Sequence, residues 1–234
     1  MIPTYILDTV DSTNTWAKAH VSLAPFCVIA REQTAGRGRY GNSWFSPPGE
    51  NLYLTWTEPL RLSLTTYIYP ASLAVQALLR SYSIEAQIKW PNDICVKDKK
   101  IAGILVEGAS NHALIGIGLN VNLDNLQTID KPATSMKLLL KKDFDLEKIQ
   151  KALHIELKKW FDRAQEFPME TFAQWRKENS WLLNTEIIVQ SSKGYILGTV
   201  QEIKDDGSLA LLQSSGSILQ VSQGIIEGTT TSSS

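Results

Sequence analysis

The sequence predicts an α+β protein: a mixed β-sheet with helices packed on one face, followed by a small all-β barrel. Two observations carry that expectation. Apolar strand-like runs alternate with amphipathic helical stretches from Tyr5 to about Asn179, and beyond Trp181 the pattern changes to short β-rich runs separated by turn dipeptides. The boundaries that follow are 1–181 for the first unit, 182–228 for the second, and a polar, low-complexity tail at 229–234 that is expected to be disordered.

Taken in order, Tyr5-Ile6-Leu7 reads as a short strand. Asp11-Ser12-Thr13-Asn14 reads as the turn capping a helix through 16–19, since Asp, Ser, Thr and Asn all make good N-caps. A strand follows at 27–30, then the run Gln33-Thr-Ala-Gly-Arg-Gly-Arg-Tyr-Gly-Asn-Ser-Trp44, then a second strand from Asn51 to Trp56. Residues 70–80 have the pattern of a long amphipathic helix, and strands are expected at 87–90, 94–96, 101–107 and 113–120. A helical region extends from Leu146 to about Asn179, with Leu153, Leu157, Trp160 and Phe161 at i, i+3/i+4 spacing as its core face. The late β runs, at 186–190, 195–201, 208–212 and 217–221, are separated by Lys193-Gly194, Asp205-Asp206-Gly207 and Ser215-Gly216, all turn sequences.

Composition narrows the function less than the motifs do. With 234 residues, 43% hydrophobic and 20% charged, the chain can bury one sizeable core and a small satellite. A formal net charge of −1 supplies no global basic field, so contact with nucleic acid would need a local patch. Cys27 and Cys95 lie in apolar stretches without metal-ligand spacing, which predicts buried free thiols in a reducing compartment. The first residues lack a basic segment followed by an apolar one, and no run of about 18 apolar residues occurs. A cytoplasmic protein without a membrane partner is expected.

The run from Gln33 to Trp44 interleaves three glycines with two arginines. Glycine admits φ > 0 and close approach of the backbone, while N–H groups and the guanidiniums of Arg37 and Arg39 would converge on anionic oxygen, as in a phosphate-handling loop. Gly-Arg-Gly runs also occur in disordered nucleic-acid-binding tails, but this one joins two strand-like stretches. Downstream lie Lys89-Trp-Pro-Asn-Asp93, then Lys100-Ile-Ala-Gly-Ile-Leu-Val-Glu107, then Ile115-Gly-Ile-Gly-Leu-Asn-Val-Asn122. His20, His112 and His154 are scattered, without a partner motif for nucleophilic or acid–base work.

With Asp11-Ser12-Thr13-Asn14, these segments stand in the motif order of the biotin protein ligases, which the chain resembles from Asp11 to Asn122. More weakly, its β-rich end is similar to the SH3-like C-terminal domain of that family. The resemblance implies the class II synthetase-like catalytic fold and ATP-dependent conversion of biotin to biotinyl-5'-AMP. Biotin then passes to a specific lysine of a biotin carboxyl carrier protein of a biotin-dependent carboxylase. Lipoate or octanoate ligases and transferases, similar in fold, are the alternative, and the pairing of Gly-Arg-Gly-Arg with Lys-Trp-Pro-Asn-Asp points to biotin. Mg2+ is expected through the phosphates of ATP, since the sequence has no His/Cys/carboxylate cluster with ligand spacing. The chain begins directly in these motifs, so neither a DNA-binding domain nor a transcriptional role is expected.

The resemblance also distributes roles. Arg37 and Lys100 lie near the biotin carboxylate and the α-phosphate, Arg39 on the phosphates, and Asn92 and Asn120 on the adenylate. Spacing to Ile-Ala-Gly selects Lys100 over Lys99. Asp93 orients and helps deprotonate the acceptor lysine, although Pro91-Asn92-Asp93 in isolation is also an ordinary turn. Ser12, Thr13 and Gln33 offer hydrogen bonds to the ureido ring, Trp44 a flat wall, and Gly36, Gly103 and Gly116 close backbone approach. The loop 124–135, containing Pro132, would cover the adenine. Tyr40 and Asn42-Ser43 replace the extra basic residues of some relatives, so ligand-linked dimerisation is not carried over and a homodimer is left open.

Overall fold

The computed structural model describes residues 2–126, 129, 131–191 and 194–230. In chain order its elements are β1 (Thr4–Val10), α1 (Thr13–Ala19), β2 (Cys27–Gln33), β3 (Leu52–Pro59), α2 (Ile68–Ser81), β4 (Gln87–Lys89), β5 (Asp93–Val96), β6 (Lys99–Ala109) and β7 (His112–Leu119). Three helices follow, α3 (Met136–Leu140), α4 (Leu146–Glu166) and α5 (Pro168–Glu178), then β8 (Glu186–Ser191), β9 (Gly194–Ile203), β10 (Leu209–Leu212), β11 (Ile218–Val221) and β12 (Ile225–Thr230). The first sheet has the order β1-β2-β3-β7-β6-β5-β4, in which β1 and β2 run parallel and the remaining neighbours antiparallel.

Side chains alternate across a strand, and in this sheet the two parities go to different places. Cys27, Ile29, Leu54, Trp56, Ala102, Ile104, Ile115 and Ile117 belong to the main buried cluster, together with Leu78 of α2, Leu157 and Phe161 of α4, and Trp175 of α5. The opposite parity takes Val28 and Leu114 into a smaller cluster with Ala17 of α1. Tyr53, Thr55, Gly103, Leu105, Glu107, Gly116 and Gly118 share that second face. The expected packing of helices on one face therefore describes α2, α4 and α5. The short α1 lies on the other face and leaves much of it open.

Local sequence explains where the elements break. The helical region expected across 146–179 is two helices, because Phe167 leaves helical space (φ −132°, ψ 68°) and Pro168 opens α5 at a position where a missing N–H costs nothing. Asp145 caps α4 by accepting from the N–H groups of Glu147 and Lys148 at 2.9 and 3.3 Å. Ile149, Leu153, Leu157 and Phe161 are its buried stripe, with Trp160 half-buried beside it. Helix α3 has no counterpart among the expected elements. It is a short turn of helix that Ser135 caps by accepting from the Leu138 N–H at 3.1 Å.

The second sheet is antiparallel, in the order β11-β10-β9-β8-β12. Strand β12 has no counterpart among the expected runs, and it takes in Thr229 and Thr230 of the expected tail, which pair with Ile187 and Glu186. Threonine is β-branched and suits a strand. Residues 231–234 of the tail, and Lys193 of the expected turn, lie outside the described residues. The barrel is joined to the first sheet: Ile187, Val189, Val200 and Leu209 belong to the main buried cluster. Across the join, Trp90 Nε1 donates to Gly207 O at 2.8 Å and the Tyr69 hydroxyl to Asp206 O at 3.3 Å. A Cβ on Gly207, which sits at φ +79°, would fall 2.3 Å from that hydroxyl, so glycine is required there. Among the described residues no helix is long and apolar enough to cross a membrane.

Candidate functional site

The site lies on the open face of the first sheet, between the N-terminus of α1 and the loop after β2. Ser12 stands at the N-cap of α1, but its hydroxyl makes no capping bond, so capping does not account for it. The Thr13 N–H and hydroxyl both donate to Gln33 Oε1, at 2.9 and 3.2 Å. Gln33 Nε2 donates to Ser46 Oγ at 3.0 Å, and Ser46 Oγ to Trp44 O at 2.9 Å. Gly36 lies inside this ring of bonds: a Cβ there would stand 2.5 Å from Trp44 O and 2.7 Å from Ser46 Oγ.

The glycine–arginine loop is a hairpin. The Gly38 N–H donates to Asn42 O at 2.7 Å and the Trp44 N–H to Gly36 O at 2.9 Å. Its tip is turned by Tyr40 (φ 57°) and Gly41 (φ 77°), whereas Gly36 and Gly38 keep negative φ. Glycine is thus needed at position 36 for space and at position 41 for conformation. The two guanidiniums do not converge on one point, because each has a different acceptor. Arg37 Nη2 pairs with Glu107 Oε2 on β6 at 2.9 Å. Arg39 donates to Asn92 Oδ1 (3.1 Å), Gly224 O of the barrel (3.3 Å) and the Tyr40 hydroxyl (3.1 Å). All three acceptors are neutral. Burial lowers the Arg39 pKa, opposed by Tyr40 and Asp93, and an arginine remains charged regardless.

Beside the hairpin, Lys100 Nζ pairs with Asp93 Oδ1 at 2.6 Å. The same ammonium lies 5.2 Å from the centre of the Trp44 ring. The indole rests on two strand glycines: a Cβ on Gly118 would fall 2.3 Å from its Cε2, and one on Gly103 3.0 Å from its Cζ3. The indole Nε1 is buried without a hydrogen-bond partner among the described residues. Gly116, expected against biotin, makes room for Asn14 instead, since a Cβ there would stand 2.5 Å from Asn14 Oδ1.

Asn92 is buried and serves Arg39, while its Nδ2 donates to Ile104 O at 2.7 Å. Asn120 Nδ2 donates to Thr134 O at 3.0 Å, and the Asn120 backbone carbonyl accepts from the Met136 N–H at 3.2 Å. The end of the 124–135 loop runs along Lys100, whose N–H donates to Pro132 O and whose carbonyl accepts from the Thr134 N–H, both at 2.9 Å. Gln127, Thr128 and Asp130 of that loop lie outside the described residues. Lys131 reaches the barrel through Glu227 at 3.1 Å.

Of the remaining reactive groups, Cys95 lies opposite Lys100 in the pairing of β5 with β6. Burial pushes the thiols of Cys27 and Cys95 up to about 12, so both are neutral at physiological pH. His20 stacks on Trp16 and His154 packs edge-on against Trp56. Among the described residues no group of three or more His, Cys, Asp or Glu could hold a metal ion.

The structure thus gathers Ser12, Thr13, Gln33, Gly36, Arg37, Trp44, Asp93, Lys100 and Gly103 around one face, with Asn120 behind Lys100 and Arg39 and Asn92 toward the barrel. Sequence reasoning gave no task to Asn14, Thr55, Glu107, Gly118, Gly224 or Glu227. Asn14 and Glu107 do end two of the quoted motifs, and Gly118, a strand glycine like Gly103, carries the general signal of close approach by another group. The Gly224 carbonyl leaves no mark in a sequence.

The sequence model of the biotin/lipoate A/B protein ligase family matches residues 6–124. The bifunctional ligase/repressor BirA of Escherichia coli is 35% identical over 137 residues, which cover 52% of this chain and 41% of that protein, so the chain spans less than half of that relative's length. The biotin–[acetyl-CoA-carboxylase] ligase of Paracoccus denitrificans is 29% identical over 230 residues, 88% of this chain and 92% of the relative. Among solved structures, the biotin protein ligase from Aquifex aeolicus in complex with biotin and ATP superimposes with a TM-score of 0.85 at 25% identity, covering 97% of this chain and 98% of that one.

Proposed function

The chain belongs to the biotin/lipoate A/B protein ligase family, and from that premise we propose that it activates biotin with ATP and transfers it to a lysine of a biotin carboxyl carrier protein. The observation that carries this reading is the pairing of Lys100 with Asp93 beside Trp44, over a floor of strand glycines. It puts a cation for phosphate and a carboxylate for an amine next to a flat apolar ring. The Aquifex neighbour was solved with biotin and ATP, and the Paracoccus relative is a biotin–[acetyl-CoA-carboxylase] ligase, which supports biotin over lipoate or octanoate.

In the first step a carboxylate oxygen of biotin attacks the α-phosphorus of ATP, the bond to pyrophosphate breaks, and a mixed anhydride forms. Both reactants are anionic. Arg37 and Lys100 at the carboxylate and α-phosphate, and Arg39 at the phosphates, offset that repulsion, one preorganised donor being worth about 3–4 kcal/mol. Arg39 fits its part because its present acceptors are all neutral, so a phosphate oxygen would give it a charge-assisted bond. Ser12, Thr13 and Gln33 hold the ureido ring, Trp44 the aliphatic chain, and Asn92, Asn120 and the 131–135 segment the nucleotide side. Among the described residues no group of three or more His, Cys, Asp or Glu could hold a metal ion; Mg2+ is assigned to the phosphates of ATP, and strong chelation should abolish turnover.

In the second step the carrier lysine Nζ attacks the anhydride carbonyl, an amide forms and AMP leaves. That nitrogen must first shed a proton, and Asp93 orients it and takes the proton, exchanging Lys100 for the incoming amine. No covalent enzyme intermediate is needed. Incubating the protein with ATP, magnesium, a carrier domain and biotin, lipoate or octanoate, with mass spectrometry of the carrier, tests the reading. Addition of one biotin to a lysine is expected, and modification by lipoate or octanoate alone would overturn it.

A further inference from the structure

The proposed reaction leaves three polar groups of the open face without a task. The Thr55 hydroxyl, fully buried on β3, donates to Asn14 Oδ1 at 2.6 Å. Asn14 Nδ2 donates to Glu107 Oε2 at 2.7 Å and, at greater length, to Leu105 O at 3.4 Å. Arg37 Nη2 donates to the same Glu107 oxygen at 2.9 Å. Asn14 has no room to shift, being buried and seated where a side chain on Gly116 would be. A rigid line of hydrogen bonds therefore runs from the interior of the sheet to a loop guanidinium.

Arg37 is held at one nitrogen. Nε and Nη1 have no hydrogen-bond partner among the described residues, and a single contact to Nη2 leaves one whole edge of the fork for a second carboxylate, which binds such an edge through two parallel N–H bonds. We propose that Glu107 is a positioning residue for carboxylate activation: it fixes Arg37 by one nitrogen and so presents the remaining edge to the substrate carboxylate, with Asn14 and Thr55 fixing Glu107 in turn. This rests on the assignment of Arg37 to the substrate carboxylate made above. Glu107 touches no reacting atom and acts through Arg37.

Two substitutions separate this role from packing. Glu107→Gln keeps the shape and can still accept from Asn14, but loses the charge that holds the guanidinium. Glu107→Asp keeps the charge and shortens the reach. Biotin-dependent pyrophosphate release, followed against biotin concentration at saturating ATP, should fall in kcat/KM by roughly ten- to hundredfold for Gln, chiefly through KM, and by less for Asp. In an Arg37→Ala background, Glu107→Gln should add no further loss. Gln near wild type with Asp worse is the order a packing role gives, and it would overturn the proposal, as would a fully additive loss with Arg37→Ala. If the wild-type protein releases no pyrophosphate with biotin, the functional reading and this inference fall together. If it does and Gln matches it, the inference falls alone.

Discussion

Asp93 and Lys100 are bonded to each other, yet each is assigned to a different half of the reaction, so substitution should separate the halves. Asp93→Asn should still accumulate bound biotinyl-adenylate but transfer it slowly, with a deficit that shrinks as pH rises and more of the acceptor amine is free. Lys100→Ala should fail at adenylation, since it removes a cation from the developing phosphoryl charge. Single-turnover assays started from pre-formed biotinyl-adenylate read the difference, and wild-type transfer by Asp93→Asn would remove Asp93 from the second step. A second expectation at this scale concerns alkali. Burial raises Cys27 and Cys95 to about 12 from an ordinary value of 9.0. Above pH 9 the unfolded chain releases these protons while the folded one keeps them. Each thiol then lowers stability by about 1.4 kcal/mol per pH unit as pH climbs from 9 toward 12, with no effect below that window. Urea midpoints at stepped pH should show the fall, and Cys95→Ala should remove one thiol's share of it, leaving that of Cys27.

At the scale of the element, Asp145 caps α4 with one carboxylate oxygen shared between two N–H groups. Asp145→Ala should cost about 1 kcal/mol, a drop in Tm of about 2–4 °C for a chain of this size, with adenylation unchanged. Scanning calorimetry beside the pyrophosphate assay checks both parts. Elements like α4 were legible in the sequence because a helix writes its buried stripe at i, i+4, as at Leu153 and Leu157, and a strand writes its own at alternate residues. The break at Phe167-Pro168 was also written there, in the proline, but the strong helical periodicity on either side masked it. α3 was not legible, since its five residues are too few to show a period. In the site, Arg37, Asp93, Lys100 and Trp44 could be read from motifs. What those motifs could not convey was direction: that Arg37 turns to Glu107 and Arg39 to the barrel depends on contacts between residues 70 and 185 positions apart in the chain.

For the whole molecule, the barrel shares the main buried cluster with α5 and the sheet, and seats Trp90 through the Gly207 carbonyl. Two regions of different sequence character should therefore melt as one cooperative unit, with calorimetric and van't Hoff enthalpies equal. Two resolved transitions would show that the join is weak. The two-sided sheet has its own consequence for variation. Along β6 and β7, Ala102, Ile104, Ile115 and Ile117 face the long helices, while Gly103, Leu105, Glu107, Gly116 and Gly118 face the site. A saturation-mutagenesis map that scored abundance and ligation separately would resolve these strands into two interleaved combs. One set of teeth would be intolerant because the protein vanishes from the cell, and the other would be intolerant although the protein is present in full.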